Sequence, residues 1–531
     1  MLLDPRPGFA LLLAALLSGC TAVGDMVAGP GSSRTLGHRP DDDDIAGSDD
    51  DDAADDDDVA DDDDTTGPGD DDDTVPAGDL ATGLDITGVS LNQGVHTWLM
   101  QNGQESVSGP IVAFRPGLLR VHVAPQAEWQ SREIVARLRL ESSNGSETVV
   151  DAVMSPTAAS DVGVYASTFN FDLDGADVQP GAGWSIELRE GSDDPPSTGT
   201  DANAAWPPNG SASLPAEFNG DQLRVHVVPI QYDADGSGRL PDTAQAQLDI
   251  YADWLYRVYP TMNVEVTVDP QPLVIDFSVS ANGNGWGDLL YELTDVRYDR
   301  DIADDVYVYG AFKPASSFGQ YCSGGCVAGL SWRADDPSGV WARASIGLGY
   351  SGEDGAATLI HEVGHAHGRA HAPCSVGDSD PSYPHSGGEL GQWGWDLLSR
   401  QLKHPSDFRD MMGYCSPRWI SDYSWNALFD RVGWVNGNPD MSFAPAPTPW
   451  RMIGIGVDGA RRMRGTVPIG GVPDGTASLV TLLDATGTPV GVSEGRFKPF
   501  EHIAGGTLLL PEPPAHVAAL LIDGEVLPLT R

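Results

Sequence analysis

From Gly83 onward, apolar and polar residues alternate in short runs, and a period of two marks half-buried strands. LDITGVSLNQGVHTWLM, IVAFRPGLLRVHVAP, EIVARLRLESS and GWSIELREG are such runs, divided by Gly, Pro and Asn turns. They predict an antiparallel, β-sandwich-like domain over residues 84–195. A stretch rich in Pro, Ser, Gly and Asn follows and predicts a linker over 196–217.

The rhythm then changes. LRVHVVPI, NVEVTV and DVYVYGAF read as strands, with further strands near Val327–Trp332 and Ala344–Leu348. Thr243–Tyr259 places Leu248, Ala252, Leu255 and Val258 on one helical face, and Trp286–Val296 also reads as helix. Strands alternating with helices predict a mixed sheet covered by helices, an α/β domain over 218–448. From residue 449 to 531 the pattern is β again (RMIGIGV, ASLVTLLD, GTLLLP, HVAALLID), a small domain in which no catalytic constellation is visible. The expected chain is therefore multidomain: β, α/β, β.

The N-terminus adds a location. Phe9–Leu17 is a run of nine apolar residues, too short for the roughly 20 that cross a bilayer, so residues 1–19 read as an export signal. Its end, Leu17-Ser18-Gly19-Cys20, resembles a bacterial lipobox, which implies acylation of Cys20 and a surface or outer-membrane lipoprotein; otherwise the chain is secreted. Residues 20–82 carry five runs of four Asp and read as a disordered tether, because such a segment has nothing apolar to bury. These runs supply 20 of the negative charges behind a net charge of −48, and a surface this acidic excludes nucleic acid as a partner. Calcium is a cofactor the sequence does not support. The Asp runs form no cage, and DADGSG (Asp233–Gly238) begins like an EF-hand loop but has Ala244 where the closing Glu belongs.

The chemistry lies in SGEDGAATLIHEVGHAHGRAH (Ser351–His371). A helix is expected to start near Ser351, with Asp354 completing a capping-box-like pair. His361 and His365 are four apart and so share one helical face, as two imidazoles on a single ion require. Glu362 can reach the open side of the ion as general base. Gly368 can end the helix in a left-handed turn that returns His371 as third ligand. Three protein nitrogens leave a fourth tetrahedral position for water, the mark of catalytic Zn²⁺. His367 lies off this face and is expected toward solvent or behind the ligands. Cys322, Cys326, Cys374 and Cys415 predict two disulfides in an exported chain, with three pairings open.

The full HExxHxxGxxH spacing resembles that of the metzincin zinc metallopeptidases. RDMMGYCSPRWISDY resembles the second mark of that family, the Met-turn, and places Met412 beneath the imidazoles. Tyr414 then matches a tyrosine that some members carry near the zinc, which implies an oxyanion-stabilising role. If the third ligand and the Met-turn meet, Cys374 is placed to pair with Cys415, and Cys322 with Cys326. Further implications are an extended polypeptide or glycoprotein substrate laid along an edge strand near Val327–Trp332, hydrolysed by a monomer. Ala372 after the third His matches no subfamily pattern and leaves the substrate undefined. The rival expectation is a catalytically inactive surface binding or adhesion lipoprotein on the same fold.

Overall fold

A computed structural model describes residues 78–192, 195–196, 199–437 and 446–529. The signal segment, Cys20 and the Asp runs lie outside the described residues. Among those described, no helix is long and apolar enough to cross a membrane.

Two antiparallel sheets face each other in the N-terminal part. One runs Gln104–Glu105, His96–Gln101, Leu84–Asn92, Gly117–Pro125, Phe169–Leu173 in spatial order. The other runs Ala205–Trp206, Gly183–Glu190, Ile134–Glu141, Glu147–Met154. Strand Gly183–Glu190 shows why they stack: Trp184, Ile186 and Leu188, beside Leu138 of the same sheet, share one buried core with Leu119 and Val121 of the other. The segment expected to be a linker belongs largely to this part. Ala205–Trp206 and Ala212–Ser213 pair with Gly183–Glu190, and Ala216–Glu217 pairs with Ile111–Val112. Its Pro, Ser and Gly content conceals three short strands that bury Ala204, Leu214 and Ala216. The last residues of the expected tether are structured too, with Leu80 bridged to Arg189 and Ala81 buried.

The central sheet has the order Val264–Val268, Leu223–Tyr232, Val306–Phe312, Ala344–Leu348, Gly329–Ser331. The first four strands are parallel and Gly329–Ser331 closes the edge antiparallel. Leu273–Ile275 also pairs with the C-terminal half of Leu223–Tyr232. Alternation sends Val225, Val227, Tyr307 and Tyr309 to one face, where helices Gln245–Val258 and Glu353–Ala366 pack. Val228, Ile230, Val308 and Ile346 face the other way, against helix Trp286–Asp299. A parallel sheet buried on both faces reads as near-continuous apolar runs, which is how LRVHVVPI and DVYVYGAF look in the sequence.

A seven-stranded antiparallel sheet forms the C-terminal part, from Pro447–Ile455 to Glu525–Pro528. Trp450, Met452, Val467, Ile469 and Leu509 join the core over helix Trp286–Asp299, while Ile453, Val480, Leu508 and Leu510 form a separate cluster. This packing brings the loop between strands Pro489–Pro499 and Gly506–Pro511 to the central sheet's edge.

The N-terminal part is docked by specific contacts. Arg115 is fully buried and donates to the carbonyls of Gln93, Tyr256, Tyr259 and Thr261, the last three around the C-terminus of helix Gln245–Val258. A cation suits that helix end, where carbonyls lack partners. Trp419 Nε1 donates to Gly94 O, and a Cβ at Gly94 would lie 2.3 Å from the ring of Trp425.

Candidate metal centre

Helix Glu353–Ala366 carries the first two histidines. Its start differs from the sequence expectation. Gly352 is the N-cap residue and no side chain of its own caps the helix. Ser351 instead donates to Asp242, and Gln247 grips the cap, accepting from Gly352 N at 2.6 Å and donating to its carbonyl. A partner distant in sequence thus does what the local Ser-Asp pair was expected to do. The helix end matches expectation: Gly368 has φ 85°, with Gly368 N bonded to His365 O and Arg369 N to Gly364 O.

The three histidines converge. His365 Nε2 lies 3.2 Å from His361 Nε2 and 3.2 Å from His371 Nε2. Each helical imidazole is aimed by its other nitrogen, His361 Nδ1 at Met411 O (2.7 Å) and His365 Nδ1 at Arg369 O (2.6 Å). Such bonds fix which nitrogen faces the common point. Burial keeps the rings uncharged, pushing His361 down to about 3 and His371 to about 4, with His365 also well below its ordinary value. Neutral nitrogens converging at this spacing are a donor set for a metal cation.

Glu362 is buried beside them, and burial pushes its carboxyl up to about 8. The carboxylate lies against edge strand Gly329–Ser331; a Cβ at Gly329 would fall 2.2 Å from Glu362 Oε1.

Met412 sits beneath the helix, its Sδ 2.4 Å from where a Cβ on Gly364 would be. Its turn is tied to the third histidine. Ala372 N donates to Met412 O, Tyr414 N donates to Cys374 O, and Cys374 and Cys415 are bonded at 2.01 Å. Asp410, fully buried and unremarked in the sequence, holds the turn by accepting from Met412 N and from both donors of Ser421. The other cysteines, Cys322 and Cys326, are bonded at 1.99 Å. Tyr414 OH lies 3.4 Å from His371 Nε2.

Of the two places expected for His367, the structure excludes solvent. The residue is buried, donates from Nδ1 to Val363 O at 2.7 Å, and stacks on Tyr307 at 3.8 Å. The face of the helix away from the metal site packs on the sheet, so solvent is not available to this ring.

A cleft of about 500 Å³ opens beside Glu362, His361 and Tyr414, bordered by the edge strand and the Cys322–Cys326 loop. The C-terminal part, expected to contribute no chemistry, contributes a fourth histidine. His502 joins His361, His365 and His371 with ligand atoms all within 4.8 Å. No spacing motif surrounds His502, so only the folded chain reveals it.

A family model, Peptidase M66, matches residues 323–414, the stretch from the cystine loop through the edge strand, helix and third histidine to Tyr414. The match supports a metallopeptidase. None of the curated proteins compared with the chain matches it.

Proposed function

We propose that the chain is an exported, surface-tethered or secreted zinc endopeptidase of the metzincin kind that hydrolyses extended proteins or glycoproteins. The observation that carries this reading is the convergence of three neutral imidazole nitrogens beside one buried carboxylate. Zn–N bonds of 2.0–2.1 Å imply nitrogens about 3.3–3.4 Å apart at the corners of a tetrahedron. The 3.2 Å separations fit that requirement. His361, His365 and His371 would hold the ion, which when bound acidifies water and polarises a carbonyl.

The chain's own residues divide the remaining work. Glu362 takes the proton of the attacking water at a carboxylate oxygen and passes it to the departing amine. Tyr414 offers its hydroxyl to the developing oxyanion from beside His371. Strand Gly329–Ser331 has an edge that no strand among the described residues pairs with, on which an extended substrate backbone can be added as a further strand. Met412, the Asp410 turn and the Cys374–Cys415 link keep the third ligand in register with the other two.

The decisive comparison is zinc content and cleavage of denatured casein by the wild type and Glu362→Ala. The variant should retain zinc and lose activity by about 10²- to 10⁴-fold. An unchanged rate would refute the assignment.

A further inference from the structure

We propose, resting on the peptidase reading above, that His502 is a fourth metal ligand and that the loop carrying it is a latch that holds the site shut until it withdraws. His502 comes from the turn between two C-terminal strands, more than 130 residues beyond His371 in the chain. Its ring centre lies 4.8–5.4 Å from those of His371, His365 and His361. Nδ1 is engaged by Tyr414 OH at 2.6 Å, which leaves Nε2 as the nitrogen turned to the other three imidazoles. That Nε2 is buried with no hydrogen-bond partner among the described residues, although Glu362 Oε1 stands 3.3 Å away. Metal ligation would satisfy it, just as the Nδ1 bonds of His361 and His365 aim theirs.

A fourth nitrogen changes what the site can do. Three protein ligands leave a position for water, whereas four close the ion as in a structural site. The same residue also occupies both groups assigned to turnover, pairing with the Tyr414 hydroxyl and standing beside the Glu362 carboxylate. It borders the cleft in which the scissile bond would lie.

The loop is fastened on both sides of His502. Glu501 pairs with Arg333 at 2.6 Å and approaches His371 Nδ1 at 3.9 Å, and Lys498 pairs with Asp335 at 3.0 Å. Phe500 packs against Trp332, and Ile503 covers Gly283, where a Cβ would be 2.7 Å from it. After the histidine come exposed Ala504 and then Gly505 and Gly506, both at positive φ (99° and 154°). Gly506 is the first residue of the strand that follows and is paired on both sides, so a withdrawal of His502 turns about Gly505 and leaves that strand in place.

The test uses the full chain loaded with zinc, and with cobalt for spectroscopy. Wild type should show four histidine nitrogens by X-ray absorption and a four-coordinate cobalt spectrum insensitive to a hydroxamate. His502→Ala should show three nitrogens and an exchangeable water, bind the hydroxamate at least tenfold more tightly, and cleave a short peptide at least tenfold faster. Glu501→Gln, which leaves every ligand in place, should move hydroxamate affinity and cleavage in the same direction by a smaller factor. Three nitrogens in both wild type and His502→Ala would overturn the proposal. So would slower cleavage by His502→Ala with unchanged coordination, which would make His502 a catalytic residue instead. Failure of the peptidase reading looks different: no zinc in the wild type, or no cleavage by any of the three proteins.

Discussion

At position 329 a Cβ would lie 2.2 Å from Oε1 of Glu362, so the missing side chain is what lets that carboxylate rest against the edge strand. Gly329→Ala should therefore displace the carboxylate proposed as general base. The expected result is a fall in peptide cleavage of about 10- to 100-fold at unchanged zinc stoichiometry, since an ångström of misplacement costs that much. Wild-type turnover in the variant would show that the base tolerates displacement. A second residue-scale prediction concerns His96 and His122, buried in the N-terminal sandwich near Arg120. Burial first, and then the Arg120 charge, push both down to about 3 from an ordinary value of 6.5. Between those limits the unfolded chain binds protons that the folded chain refuses, so stability falls as pH falls from 6.5 toward 3. The slope is up to about 1.4 kcal/mol per pH unit for each ring. Urea midpoints in EDTA between pH 7.5 and 4.5 measure it, and His122→Gln should flatten the curve; parallel curves would contradict the assignment. Residues 361–371 could be read from the sequence because a helix and the glycine turn that ends it set their geometry locally. Gly329 could not, because its importance lies in a neighbour more than thirty positions away.

Elements show the same division. The strands and helices of the central sheet follow their apolar periodicity to within a few residues, since both faces of that sheet are buried. The cap of the helix that carries His361 and His365 did not follow its local signal, because Gln247 on another helix reaches it first. Sequence pattern also missed the strands in 196–217, which are two residues each and too short for periodicity to register. The turn at Asp410–Met412 is fastened to the segment of His371 by Cys374–Cys415, a link across 41 residues. Closing a loop of that size restricts the unfolded chain by up to about 4 kcal/mol. The Cys374→Ser, Cys415→Ser double variant should lose about 2–4 kcal/mol in denaturant unfolding and bind zinc more weakly. A loss of stability without any change in zinc affinity would mean that the link does not organise the ligand.

At the scale of the described residues as a whole, the N-terminal sandwich and the central sheet are joined through buried polar contacts. Arg115→Met would remove a guanidinium that four carbonyls share, three of them around one helix end. The expected loss is about 2–4 kcal/mol, because those carbonyls would stay buried without donors. Faster proteolysis between the sandwich and strand Leu223–Tyr232 would accompany it, whereas unchanged unfolding and proteolysis would show the docking to be weak. The C-terminal sheet is also more than an appendage: one part of it completes the core over helix Trp286–Asp299, and one of its loops enters the metal site. The sequence by itself determined the three histidines, the adjacent glutamate and the order of β, α/β and β segments, because each depends on residues close along the chain. Which distant residues meet was decided only by tertiary structure. The buried place of His367, the hold of Asp410 and Gln247, and the arrival of His502 all require segments far apart in sequence to pack together. Periodicity reports which face of an element is buried, but it carries no information about what covers that face.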